Sequence, residues 1–386
     1  MILTNLKDET RDGLRRISMD LVWEHTDRPM QTLYFEAGGS TASLLHANAN
    51  AFVIACLPLA TWFNEKRMLV EAQVCARLKS GFSVINQIFV EWYPRCGMVE
   101  LQVPSGFVPT RPPAQRKVGT LLSGGVDGLA TVRINRLTYP LDHPEAIRGF
   151  ITLFGINNFD LDEHGNKVPE RVRAFEAVTE RLQKLANAEQ MDMHPVHTNV
   201  RHLAPDYRYW VSLGFGAGHS AVAQLFQGHF DKVLLASDGN GPNSAPVALH
   251  PLFNHHFSTD AVRIQGEQDE MTRVEKIALL SDWEFGRRFM QPCHYVHIPE
   301  NGAINCGKCE KCVRTMLTLI GQGRLAETEA FEEDDLKPIR VMMIPVGNVE
   351  KAKLLRQSVQ VLKERKRFDL VWAIRARLAL YYVTRI

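Results

Sequence analysis

The prediction of the fold begins with GTLLSGGVDGLATVRINRL, residues 119–137. A short apolar run leads into two adjacent glycines and an aspartate, after which the pattern suits a helix. Asp127-Gly128 between apolar runs is typical of a type I′ hairpin turn. The alternative is a strand-to-helix loop, whose bare backbone and helix N-terminus bind an anion. Local sequence leaves both interpretations open.

Downstream of the glycines, short apolar runs alternate with longer helical segments. FITLFGI precedes ERVRAFEAVTERLQKLANAEQ, MHPVHTN precedes YWVSLGFGAGHSAVAQLFQGHF, and KVLLAS precedes a loop that leads to TRVEKIALLSDW. This alternation predicts an α/β fold with a doubly wound parallel sheet, which we expect to have five strands. Ligands bind such sheets at the carboxyl ends of the strands, so the pattern favours the anion-binding loop.

The chain before the glycines has a different pattern. DLVWEHT, QTLYFEAGG and GMVELQVPSGF alternate as strands do, and VPTRPPAQRKVG is typical of a linker. We therefore predict a smaller β-rich domain at 1–115, an α/β domain at 116–325 and a helical extension at 326–386. The first domain offers no glycine loop and no tight carboxylate or His/Cys cluster. We expect it to recognise a protein partner, and its deletion to spare ligand binding by the rest.

Composition limits the classes of protein that remain. The chain has 386 residues, 45% hydrophobic and 23% charged, as is usual for globular proteins. A net charge of +2 argues against a nucleic-acid partner, because binding of the phosphate backbone needs clustered Lys and Arg. No stretch reaches the roughly 18 apolar residues of a membrane span, and the first residues lack a signal-peptide pattern. We expect a cytoplasmic protein without a membrane partner.

Four of the seven cysteines are clustered as Cys293-x12-Cys306-x2-Cys309-x2-Cys312. In a reducing compartment such a cluster indicates a metal rather than disulfides. Four thiolates satisfy a tetrahedral structural zinc ion, and they also satisfy an iron–sulfur cluster. Zinc is favoured because Gly307 and its lysine neighbours suit a knuckle turn that donates N–H groups to sulfur.

Two of these features together resemble a known family. SGGVDG, residues 123–128, resembles the Ser-Gly-Gly-x-Asp-Ser motif of the PP-loop ATP pyrophosphatases, which cleave ATP between the α- and β-phosphates. Paired with the late cysteine cluster, it is similar to the 7-cyano-7-deazaguanine synthases, the QueC family, over residues 118–320. The resemblance implies an adenine nucleotide alpha hydrolase-like (HUP) sheet and zinc on the four cysteines. It also implies adenylation of a carboxylate such as 7-carboxy-7-deazaguanine, followed by formation of an amide or nitrile.

The resemblance also implies site residues. The residues of the loop implied to bind ATP are Ser123, Gly124, Gly125, Asp127 and Gly128. Thr272, Arg273 and Lys276 lie within about one helical turn, so their heads could converge on one anion, and the alternative is an ordinary exposed helix face. Similar Thr and Lys residues contact phosphate in the family, which adds Thr272 and Lys276 to the implied site. Ser123, Asp127 and Lys276 would be catalytic, and Asp127 would hold Mg²⁺ or fix the loop. Gly128 departs from the motif, which has a hydroxyl there, so a serine at 128 is expected to tighten ATP binding.

Other polar residues end predicted strands: His197, Asn199, Ser237, Asp238 and Asn240. They are candidates for the same site, although polar residues also merely terminate strands. His255-His256 has no partner at metal spacing and is predicted to lie in a solvated loop.

Two alternative functions remain open. A QueC-like protein of an anti-phage system would attach a deazapurine to a partner protein. A non-catalytic nucleotide-binding module would explain why residue 128 is a glycine where the motif has a hydroxyl side chain.

Overall fold

The computed structural model describes residues 1–109, 117–237, 246–293 and 304–383. Within them the strands are β1 Ile2–Arg11, β2 Leu14–Val22, β3 Gln31–Gly38, β4 Arg67–Val70, β5 Val74–Cys75, β6 Glu100–Gln102, β7 Phe107–Val108, β8 Val118–Leu121, β9 Ile147–Phe154, β10 Asp192–Thr198, β11 Lys232–Ala236 and β12 Arg263–Glu267. The helices are α1 Gly39–Leu44, α2 Ala49–Trp62, α3 Ala76–Trp92, α4 Val126–Thr138, α5 Pro169–Ala188, α6 Tyr207–Tyr209, α7 Phe215–Gln224, α8 Pro251–Asn254, α9 Arg273–Ser281, α10 Glu284–Phe289, α11 Glu310–Gln322, α12 Pro338–Met343, α13 Val349–Glu364 and α14 Phe368–Val383. A π-helical turn, Trp210–Gly214, joins α6 to α7.

Ten of these strands form one sheet in the order β12-β11-β8-β9-β10-β3-β2-β1-β4-β6. The run from β12 to β10 is parallel throughout, as are the pairs β1–β4 and β4–β6. β3 joins β10 antiparallel, and β2 pairs antiparallel with both β1 and β3. The protein is thus α/β with a large, mostly parallel sheet, as predicted for its class.

The predicted five parallel strands exist, but they do not form a sheet of their own. The edge of β10 is covered by β3 through the pairs His197↔Glu36 and Thr198↔Phe35. Asn199 extends the junction, since its Oδ1 accepts from the Tyr34 N–H at 3.0 Å and its Nδ2 donates to the Thr32 carbonyl at 2.8 Å. The N-terminal strands therefore continue the α/β sheet across the predicted domain boundary.

The chain order creates a crevice at the end of β8. From β8 the chain moves through α4 to β9 and through α5 to β10, then returns to β11 on the other side of β8. Right-handed crossovers in opposite directions place their helices on opposite faces of a sheet. The connections that leave β8 and β11 therefore diverge, and the carboxyl end of β8 lies where parallel sheets bind ligands.

Two hydrophobic cores cover the two faces of the parallel strands. Along β11, Val233 and Leu235 belong to one core and Leu234 to the other, as the alternation of a strand requires. The first core contains α2, all of whose residues are buried, together with α3 and α7. The second contains α4, α5, α9 and α11 with the predicted C-terminal helices α13 and α14. In the described part of the chain, no helix combines the length and hydropathy that crossing a bilayer requires.

Candidate functional site

The glycine loop, residues 122–125, connects β8 to α4 at this crevice. Because β8 has parallel neighbours on both sides, the hairpin alternative is wrong. Gly124 has φ +79°, a conformation that L side chains rarely adopt. Gly125 is the N-cap of α4 and no side chain caps the helix, so the first N–H groups of α4 are available to an anion.

The glycine loop contacts the segment that precedes Cys293. The Gln291 N–H donates to the Gly124 carbonyl at 2.7 Å. A Cβ at Gly124 would lie 3.4 Å from Cβ of Gln291 and 3.5 Å from the Phe289 carbonyl oxygen. The glycine loop is therefore in direct contact with the segment that precedes Cys293.

Gly125 and Gly128 face different surroundings. A Cβ at Gly125 would have Ser123 Oγ, at 3.5 Å, as its nearest neighbour, so a side chain there would point into the loop. A Cβ at Gly128 would lie 3.1 Å from Leu122 Cδ1 and 3.3 Å from the Leu121 carbonyl oxygen. A side chain at 128 would thus begin against Leu122 and the end of β8, where its neighbours must shift slightly to admit it.

Asp127, in the first turn of α4, faces cations from α9. Arg273 hydrogen-bonds Asp127 Oδ2, and Lys276 Nζ lies 3.6 Å from Oδ1. Lys276 is buried and also donates to the Ser237 carbonyl at 2.6 Å. Burial favours the neutral acid, but Arg273, Lys276 and Lys311 outweigh it and hold the pKa of Asp127 below its usual value.

Two further cations, Lys311 and Arg314, lie near Asp127. Both belong to the cysteine segment, by which we mean residues 291–314, and neither of them was predicted from the sequence. Burial, reinforced by Arg273, lowers the pKa of Lys311. Burial also lowers the pKa of Arg314, whose Nε lies 3.3 Å from Glu310. With Arg273 and Lys276 these residues form what we call the cation cluster. The position of Lys311 between two clustered cysteines was the available signal.

Several buried polar atoms around the loop have no hydrogen-bond partner among the described residues: Asp127 Oδ1, Gln268 Nε2, Arg273 Nε and Arg314 Nη1. Gln268 is tied to α4 by the Thr131 hydroxyl, which donates to its Oε1 at 2.9 Å. Each such atom costs about 1–3 kcal/mol unless water or a ligand satisfies it. Gln268 Nε2, Arg273 Nε and Arg314 Nη1 are donors that a polar anion could satisfy, whereas Asp127 Oδ1 is an acceptor and needs a cation or water.

Thr272 has a structural role at the start of α9. It is the N-cap of α9, and its hydroxyl takes part in a capping box with Glu275. The Thr272 hydroxyl therefore already bonds Glu275 in the first turn of α9. Ser123 is exposed at the mouth of the loop, where a ligand could reach it.

The four predicted metal ligands converge. The Sγ atoms of Cys293, Cys306, Cys309 and Cys312 all lie within 4.8 Å of one another. The Cys293–Cys309 and Cys306–Cys312 sulfurs are 4.0 and 3.9 Å apart. A tetrahedral zinc ion with Zn–S bonds of about 2.3 Å separates its sulfurs by about 3.8 Å, so the four could hold one such ion.

The knuckle turn also has the predicted form. Gly307 has φ +61°, and the N–H groups of Lys308 and Cys309 donate to Cys306 Sγ at 3.4 and 3.3 Å. In a four-iron cluster each thiolate binds its own iron, which spreads the sulfurs farther than a single ion does. The sulfurs of Cys293 and Cys309, together with burial, raise the pKa of Cys312, and a cation would reverse this effect.

The remaining candidates are dispersed. Asn199 is used in the β10–β3 junction, and Ser237 contributes its carbonyl to Lys276. His197 stacks on Phe154 with ring centroids 5.0 Å apart, and burial lowers its pKa to about 4.

Asp238 and Asn240 lie outside the described residues. His255 is exposed and His256 half-buried in a 3-10 turn. No carboxylate or cysteine joins them in a metal-ligating group among the described residues.

The chain matches no protein-family model, no curated protein and no solved structure.

Proposed function

We propose that the protein is an ATP-dependent enzyme that adenylates a carboxylate with release of pyrophosphate and then forms an amide or nitrile. The observation that carries the proposal is the meeting of an uncapped glycine loop with the cation cluster at the end of β8. The strand order β12-β11-β8-β9-β10 reverses direction at β8, as in a doubly wound sheet. A doubly wound sheet binds nucleotides at this point.

The proposed chemistry assigns a role to each group. A carboxylate oxygen attacks the α-phosphorus of ATP, the bond from that phosphorus to the bridging oxygen breaks, and pyrophosphate leaves with the electron pair. Arg273 and Lys276 neutralise the charge that develops on the leaving pyrophosphate, without proton transfer. Ammonia then attacks the acyl carbon, the bond from that carbon to the AMP oxygen breaks, and loss of a proton gives the amide. The nitrile needs a second ATP, which adenylates the amide oxygen so that this oxygen leaves with AMP and the nitrogen loses its remaining protons.

Asp127 positions the cations in this mechanism. Its carboxylate pairs with Arg273 and Lys276, and so holds both near the loop. A carboxylate between two cations is a poor site for Mg²⁺ by itself. We expect the metal to arrive with the triphosphate, as Mg²⁺ commonly does, and to neutralise phosphate charge there.

The substrate class rests on the QueC-like resemblance, which points to a deazapurine acid. The four-cysteine site would hold zinc in a structural role, because four protein ligands leave no position for an activated water. The alternative of a deazapurine attached to a partner protein differs only in the acceptor of the activated acyl group. The non-catalytic module differs in a third way, since it would bind ATP and release no pyrophosphate.

One incubation separates these possibilities. The protein is mixed with ATP, Mg²⁺, 7-carboxy-7-deazaguanine and ammonia, and pyrophosphate, small molecules and protein mass are measured. Pyrophosphate with an amide or nitrile supports the proposal, whereas a protein adduct supports the alternative acceptor. Bound ATP without pyrophosphate favours the module, and the absence of ATP binding contradicts the proposal.

A pair of lysine variants links any activity to the cation cluster. Lys276→Met keeps the bulk of the side chain and removes a buried charge, so pyrophosphate release should fall by about 100-fold or more. Lys353→Met removes an exposed charge from α13 and is the control. Equal activity of the two variants would remove Lys276 from the mechanism.

A further inference from the structure

We propose a second metal site, formed by Asp192, His194 and His229, that binds one divalent first-row transition ion. One ligand atom of each side chain lies within 4.8 Å of the others. The site is separate from the four cysteines. It is also separate from the glycine loop, because Asp192 begins β10 whereas the loop follows the carboxyl end of the parallel strand β8.

The fold explains why these three residues meet. Asp192 and His194 are two residues apart on β10 and therefore point to the same face of the sheet. His229 follows α7, in the turn before β11, and its ring lies edge-on to His194 with centroids 4.9 Å apart. Phe226 and Phe230, from the same turn, pack against His194 and fix its position.

Three ring nitrogens of the two histidines are buried without hydrogen-bond partners among the described residues. His194 is 4% exposed, and neither of its ring nitrogens has a partner among the described residues. Nε2 of His229 is likewise buried and unpaired within that part of the chain. A neutral imidazole normally both donates and accepts, so three such atoms at one place indicate a missing ligand such as a cation.

Two imidazoles and one carboxylate are a ligand set for zinc and its first-row neighbours. Bonds of about 2.0–2.1 Å place tetrahedral ligand atoms about 3.4 Å apart, so modest side-chain rotation would close the site. Asp192 is exposed, which leaves a coordination position open to solvent. The ion would tie the turn after α7 to the start of β10.

Lys117 opposes this site electrostatically, since its ammonium is near enough to disfavour positive charge on both histidines. The carboxylate of Asp192 offsets that charge. The affinity is therefore expected to be moderate, and Lys117→Met should tighten metal binding.

The experiment uses the full-length protein with its cysteine site loaded with zinc. Co²⁺ is titrated in by calorimetry and visible spectroscopy, and Zn²⁺ is added in a parallel thermal-melting series. We expect one additional equivalent of Co²⁺ with d–d bands but without thiolate charge transfer. We also expect a higher melting temperature in excess Zn²⁺, because an ion that binds only the folded state stabilises it.

Substitutions of the proposed ligands test whether the additional Co²⁺ ion binds at this site. Asp192→Asn changes an exposed carboxylate with little risk to folding and should weaken Co²⁺ binding by roughly 100-fold or more. His229→Ala should abolish it, whereas His256→Ala, at a half-buried histidine outside the group, should leave it unchanged. The proposal fails if the wild type binds no extra equivalent, or if Asp192→Asn and His229→Ala bind it as the wild type does.

Discussion

At the scale of single residues, three glycines that lie within five positions have different roles. Gly124 is required by its backbone conformation and by the close approach of Gln291. Gly125 has an ordinary backbone, with φ −64° and ψ 156°, and space around its Cβ. Gly128 packs against β8. Gly125 is therefore the position where an added side chain can block the loop without disturbing the fold.

We predict that Gly125→Val abolishes ATP binding, because its methyl groups would occupy the space of a phosphate. The free energy of unfolding should fall by no more than about 1–2 kcal/mol, the cost of a residue that caps a helix poorly, since the backbone angles themselves suit valine. Calorimetry with ATP and chemical denaturation measure the two quantities. Gly128→Ser is the control and should bind ATP as the wild type does. Full ATP affinity in Gly125→Val would contradict the prediction, because the glycine loop would then connect β8 to α4 without binding a phosphate.

A pH dependence is predicted from His219 on α7. Burial lowers its pKa to about 4, although its ring bonds the Phe215 carbonyl at 2.7 Å. Below pH 6.5 the unfolded chain binds a proton that the folded chain does not, so stability is lost as pH falls from about 6.5 towards 4. We expect His219 to account for about 1–2 kcal/mol of the loss between pH 7 and 5.

The measurement is urea unfolding at several pH values. His219→Gln keeps a donor for the Phe215 carbonyl but does not titrate, so its stability should depend less on pH over this window. His164→Gln replaces an exposed histidine and is the control. A His219→Gln protein with the wild-type pH profile would contradict the prediction.

At the scale of elements, the β10–β3 junction rests on few contacts. Two residue pairs join the strands, and the Asn199 side chain adds two hydrogen bonds that imitate a third pair. We predict that Asn199→Ala lowers the free energy of unfolding by about 1–3 kcal/mol, because it leaves the Tyr34 N–H and the Thr32 carbonyl unpaired. Chemical denaturation measures this. Asn187→Ala, on the exposed side of α5, should cost much less, and equal losses would contradict the prediction.

The cysteine segment is the element that connects the four clustered cysteines to the glycine loop. Its first cysteine follows Gln291, which supports Gly124, and its last turn starts α11 with Lys311 and Arg314. We predict that Cys309→Ser lowers metal content, solubility and ATP affinity together. Elemental analysis and calorimetry test this, with Cys56→Ser, in the other core, as a variant that should keep the metal. Iron with acid-labile sulfide in anaerobically purified protein would contradict zinc.

At the scale of the whole molecule, the N-terminal residues share a core with the parallel strands. α2 packs on α7, and the His46 N–H donates to the Leu225 carbonyl at 2.8 Å. Removing the first 115 residues would expose this core and the edge of β10. The sequence-based expectation that such a deletion spares ligand binding is therefore reversed.

We predict that residues 117–386 expressed alone aggregate, because an exposed apolar face and an open strand edge both promote association. Residues 1–109 and 117–386 expressed as two separate chains should instead co-purify as a folded pair. Solubility, gel filtration and ATP calorimetry are the measurements. A soluble, monomeric 117–386 fragment that binds ATP would restore the two-domain prediction.

The sequence by itself determined the features that depend on neighbouring residues. The alternation of apolar runs predicted the parallel strands and their helices, and cysteine spacing predicted the convergence of four sulfurs. These signals are local, because strand and helix periodicity and knuckle turns each arise within a few residues.

Only the tertiary structure decided which distant segments meet. That β3 covers β10 depends on matching hydrogen bonds between strands about 160 residues apart along the chain, which no periodicity encodes. The placement of Arg314 near Arg273, and of Gly128 against Leu121 and Leu122, follows from packing in the same way. The charge and shape of the candidate site arise from these long-range contacts, because close packing allows only one arrangement of the segments that carry them.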